Sequence, residues 1–137
     1  MAYWLMKSEP FKYPWDQLVE DGRTEWDGVR NHQAARNLKA MRIGDRAFFY
    51  HSNEGKDVVG VCEIVKEAYP DPSDPSGRFV MVDVVPLAPM PRPVTLKQIK
   101  AAPDLAELAL VRQSRLSVCP VRDQEWAIVC KMGGLSL

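Results

Sequence analysis

Four short segments of this 137-residue chain set polar or charged side chains beside aromatic ones or at the ends of apolar runs. They are Lys7-Ser8-Glu9-Pro10, Trp26-Asp27-Gly28-Val29-Arg30-Asn31, Tyr50-His51-Ser52-Asn53 and Ser114-Arg115-Leu116-Ser117. Each falls at a strand end or a helix start, where backbone groups are unpaired and can face a ligand. Each also has a structural use: Glu9 before Pro10 shapes a turn, Asn31 caps a helix, and tryptophans such as Trp26 commonly fill cores. Adjacent His51 and Ser52 suggest a hydrolase, but neighbours on a regular strand point to opposite faces, and no G-x-S-x-G elbow is present. Glu9, Asp16 and Glu63 have no spacing that selects a carboxylate pair. The eight glycines are scattered apart from Gly133-Gly134, so no loop cradles a phosphate. Cys62, Cys119 and Cys130 have no C-x-x-C spacing, and His32 and His51 lie far apart. No catalytic residue, metal or cofactor is assigned.

One domain spanning 1–137 fits the length, and 46% hydrophobic with 26% charged residues is an ordinary globular balance. No apolar run reaches the roughly 18 residues of a membrane helix, and the N-terminus does not read as a signal peptide. Three cysteines fit a reducing compartment, so a cytoplasmic location is expected; the chain is also expected to be a monomer. Eighteen basic and eighteen acidic residues cancel, so generic phosphate binding should be weak. The charge is uneven, however. Residues 23–46 and 92–122 are basic and 47–91 acidic, which leaves room for a local anion-attracting patch if the basic segments meet.

The elements that must position these residues are short. Ala2–Lys7 reads as a strand, 14–20 as a helix, and Asn31–Met41 as a helix capped by Asn31 with Ala34, Leu38 and Met41 on one face. Arg46–Ser52 and Asp57–Glu67 read as strands around a hairpin loop at Asn53–Lys56. Tyr69–Gly77 reads as a loop and Arg78–Val85 as a buried strand. Pro86, Pro89, Pro91 and Pro93 are expected to prevent regular pairing and trace an extended edge. Thr95-x-x-Gln98 predicts a capped helix, and Asp104 a second one through Leu110. Arg115–Val121 reads as a strand and Asp123–Met132 as the last helix. Five or six strands without regular βαβ alternation predict an α+β pseudo-barrel.

Taken together, the segments resemble the EVE domain family, within the PUA-like superfamily that includes the YTH readers of methylated adenine. The likeness runs from Tyr3-Trp4-Leu5-Met6-Lys7-Ser8-Glu9-Pro10 through Gln33-Ala34-Ala35-Arg36-Asn37, Gly44-Asp45 and Phe49-Tyr50-His51-Ser52-Asn53. It continues in Ala68-Tyr69-Pro70-Asp71-Pro72 and Pro93-Val94-Thr95-Leu96. It ends in Ser114-Arg115-Leu116-Ser117-Val118 and Glu125-Trp126. The resemblance implies a PUA-like mixed β pseudo-barrel flanked by short helices. It also implies a non-catalytic module that reads a modified base, a cytosine derivative among the candidates, in DNA or RNA. Lys7, Ser8, Glu9, Trp26, Asn31, Tyr50, His51 and Ser52 would then line the base pocket, with Arg30 and Arg115 on phosphates. An indole face stacks on an extruded base, and a carboxylate accepts from an exocyclic amine. Trp26 is accordingly expected beside a cleft. The alternatives are an enzyme on modified nucleotides, with His51 as acid or base, and a small protein-interaction domain.

Overall fold

Residues Arg46–His51 form strand β3, in which Ala47, Phe48, Phe49 and Tyr50 are all buried. Side chains alternate across a strand, so unbroken burial means both faces are covered. On one face Phe48 stacks on Trp126 of helix α5 (Asp123–Gly133), with ring centroids 3.9 Å apart. On the other, Phe49 meets Trp15 of helix α1 (Trp15–Asp21) edge-on at 5.4 Å.

The computed structural model describes residues 1–137. The remaining strands are β1 (Tyr3–Ser8), β2 (Thr24–Glu25), β4 (Asp57–Pro70), β5 (Val80–Thr95) and β6 (Val118–Val121). All six make one mixed sheet in the order β2-β5-β4-β3-β1-β6. Register shifts within the β3–β4 and β4–β5 pairs bend the sheet, as a pseudo-barrel requires. β1 and β3 run parallel, with Ser8 opposite His51, so the segments that follow both strands leave from the same rim.

The helices begin where their caps place them. Gly22 ends α1 at φ 75°, a left-handed conformation that suits glycine. Helix α2 (His32–Ala40) starts where Asn31 Oδ1 accepts the Ala34 N–H at 2.9 Å. Helix α3 (Leu96–Ala101) has both bonds of the Thr95–Gln98 box. The helix expected from Asp104 is instead a 3-10 turn (Pro103–Leu105) followed by α4 (Ala109–Arg112). The last strand starts later than expected, at Val118, because residues 113–117 are occupied by a turn.

The proline-rich stretch is the main departure. Cys62 pairs with Pro86, Val61 with Ala88 and Gly60 with Pro89, so β5 is one long strand rather than a strand and a detached edge. Beyond Val84 only β4 flanks it, because β2 pairs solely with Asp83 and Val84. A strand with one free side tolerates prolines, whose missing N–H can face away from the ladder. Met90–Pro93 fall in a register break and have no ladder partner.

Candidate functional site

The rim where β1 ends opens into a cleft of about 760 Å³. One wall is Lys7, Ser8 and Glu9 with Lys12 and Tyr13 of the next turn; the other is Thr24 to Asn31. Lys12 and Tyr13 both donate their N–H to the Glu9 carbonyl, which closes the turn below the Glu9 side chain. Ser8 Oγ donates to the Tyr13 carbonyl at 2.6 Å, which leaves its lone pairs as acceptors. Lys7 Nζ donates to the Ser114 carbonyl at 2.8 Å, and its partial burial lowers its pKa. Trp26 is 8% exposed, edge-on to Phe49 at 5.5 Å, and lines the cleft. It sits at the boundary of core and cleft, as the polar turn around it led us to expect.

Arg30 also lines this cleft, but its guanidinium is engaged. It donates to Asp71 Oδ2 at 3.1 Å and to Ser73 Oγ at 2.9 Å, and lies over the Phe79 ring at 5.5 Å. Asp71 accepts the Gly28 N–H as well, at 2.9 Å. Buried as it is, Asp71 is held at a pKa of about 2 by hydrogen bonds from Ser73 Oγ and N–H, from Gly28 N–H and from Arg30, which together outweigh its desolvation. This pair braces the Trp26 turn, and that engagement weighs against the phosphate contact expected of Arg30. Asn31 lines the cleft and caps α2 at once: its carbonyl is engaged, its amide donors are not.

Tyr50, Ser52 and Arg115 line a second hollow of about 630 Å³, which adjoins the first through Lys7, Glu9 and Ser117. His51 lines neither. Its Nε2 accepts the Trp15 N–H at 3.1 Å, at the start of α1, and burial lowers its pKa. His51, the last residue of β3, and Ser52, the first of the turn after it, thus diverge, and the hydrolase arrangement does not form.

The charge segments resolve in three dimensions. Arg23, Arg30 and Arg42 of the first basic segment pair with Asp83, Asp71 and Glu67 of the acidic one. From the second basic segment, Lys97, Lys100 and Arg115 pair with no carboxylate.

Sequence reading missed several lining residues: Lys12, Tyr13, Asp21, Thr24, Glu25 and Ser117. Tyr13 OH donates to Asp21 Oδ2 at 2.8 Å, so the end of α1 contributes to the wall. Ser117 arrives because its carbonyl accepts the Lys7 N–H, a pairing across more than a hundred residues. Only its place in a polar segment hinted at it.

A bent mixed sheet whose parallel pair β1–β3 opens onto a polar, tryptophan-walled cleft defines a PUA-like module. A sequence model of the EVE domain matches residues 2–132, and the chain belongs to that family. It is 34% identical to human thymocyte nuclear protein 1 over an alignment covering 96% of this chain and 73% of that protein. A Rhodopseudomonas palustris protein solved by NMR is 58% identical, with a TM-score of 0.93 over 98% of this chain and 94% of its own. The crystal structure of human THYN1 in complex with 5-methylcytosine-containing DNA is 33% identical, with a TM-score of 0.93 over the full length of both chains. The YTH domain of a Zygosaccharomyces rouxii protein, 16% identical at a TM-score of 0.61, has the same fold.

Proposed function

We propose that this chain is a non-catalytic module, acting as a cytoplasmic monomer, that binds a modified nucleobase in DNA or RNA. The favoured ligand is a cytosine carrying a methyl group, held in the Trp26 cleft. The observation that carries this reading is the convergence of the Trp26 indole and the Glu9 carboxylate on one cleft. Stacking on an indole contributes about 1–3 kcal/mol per base and tolerates an added methyl. A carboxylate accepts from cytosine N4 and finds no donor on the corresponding carbonyl of thymine or uracil. The THYN1 complex with 5-methylcytosine-containing DNA, on a chain alike over its full length, supports the choice of base.

A panel of otherwise identical oligonucleotides at one fixed salt concentration tests it, with 5-methylcytosine, cytosine or thymine at the central position. Preferential binding of the modified strand, recovered chemically unchanged, is expected. Equal binding to all three, or conversion of the modified base, overturns the reading.

A further inference from the structure

The two adjoining hollows differ in charge. The Trp26 cleft has four carboxylates, Glu9, Asp21, Glu25 and Asp27, against three cations, of which Arg30 is paired with Asp71 and Lys12 lies 3.8 Å from Glu9. The second hollow has Lys7, Lys56, Lys100 and Arg115 against Glu9 alone. None of those four cations lies within ion-pairing distance of a carboxylate. We propose that the second hollow is the track for the sugar-phosphate backbone on one side of the bound base: it takes the phosphates of the flanking nucleotides, while the acidic cleft takes the base.

This assignment rests on the base-reading function above and divides the labour within it. Phosphate oxygens only accept, so they are favoured among ammonium and guanidinium donors and disfavoured beside four carboxylates. Base amines have the opposite preference. Tyr50 supplies a second pointer. It is 3% exposed and lines the hollow, and burial pushes its pKa up to about 12, so it presents a neutral phenol donor. Lys97 extends the row, since a further hollow of about 450 Å³ is bordered by Lys56, Lys97 and Lys100. Lys7 stands in the shared wall, with its ammonium on the Ser114 carbonyl, at the point where base and backbone would part.

The test is the double variant Lys56→Glu with Lys100→Glu in the full chain. The probes are a single-stranded oligonucleotide with one central 5-methylcytosine, its unmodified twin, and free 5-methylcytidine. Losing two phosphate contacts should weaken both oligonucleotides about tenfold or more at low salt and flatten the slope of log K against log salt by about 1.4. The ratio between modified and unmodified strands should hold, and 5-methylcytidine binding should not change. Lys131→Glu, on α5 and outside both hollows, should alter none of these. Unchanged affinity and slope overturn the track, and so does a collapse of the modified-to-unmodified ratio. Should the unaltered protein fail to prefer the modified strand, the base reading falls, while the salt slope still decides the track.

Discussion

Glu9 and Trp26 face one cleft with different chemistry, so their variants should separate. Glu9→Gln keeps the shape but exchanges charge for an amide that can donate. It should weaken an amine-bearing base by about 1–3 kcal/mol and narrow discrimination against thymine or uracil. Trp26→Ala should weaken every base to a similar degree, by about 1–3 kcal/mol. Titration of matched oligonucleotides checks both; an unchanged base preference in Glu9→Gln would reduce Glu9 to a turn residue. His51 belongs to stability instead. Its folded-state pKa lies below the ordinary 6.5, so the unfolded chain takes up the proton first as pH falls. The contribution is therefore complete above the unfolded value and is lost as pH drops through the folded one. Melting from about pH 7.5 to about pH 5.5 should show this slope, and His51→Gln, whose amide oxygen can still accept from Trp15, should flatten it. Local context made Trp26 and the Lys7-Ser8-Glu9 turn legible. The positions of Arg30 and His51 depend on Asp71 and Trp15, partners 41 and 36 residues away, and no local pattern encodes those contacts.

At the scale of elements, Asn31 has a cap role and a cleft role that substitution can divide. Asn31→Ala should cost about 1 kcal/mol of stability by removing the acceptor for Ala34 N–H. Asn31→Asp keeps that acceptor and loses the amide donors, so it should melt like the parent and bind oligonucleotides more weakly. α1 is seated by a close approach: a Cβ on Gly60 would lie 2.6 Å from the Trp15 ring. Gly60→Ala should therefore destabilise by about 1–3 kcal/mol in denaturant titration, and should disturb the cleft wall at Asp21. Capping residues made α2 and α3 readable almost to the residue, because a cap is a local bond. The long β5 was not, because whether a proline breaks a strand depends on which side of it is occupied, and that is a property of the sheet.

For the molecule as a whole, zero net charge conceals an arrangement that no count reveals. The acidic middle of the chain pairs with Arg23, Arg30 and Arg42 of the first basic segment and with none of the second. Binding to unmodified duplex should accordingly be weak, with a shallow salt dependence that reflects a few phosphates. The order of the sheet also bears on how the protein comes into being. β1 sits between β3 and β6, more than a hundred residues from the latter, and Trp4 lies opposite Pro120. A chain still emerging from the ribosome has synthesised Lys7 long before its partner Ser117, so the Lys7–Ser117 side of the cleft forms only once residue 117 is free of the ribosome. Such distant pairings belong with slower folding, in the millisecond-to-second range. A chain broken off before Ser117 would thus hold both walls of the cleft in its sequence yet lack the strand edge on which Lys7 rests.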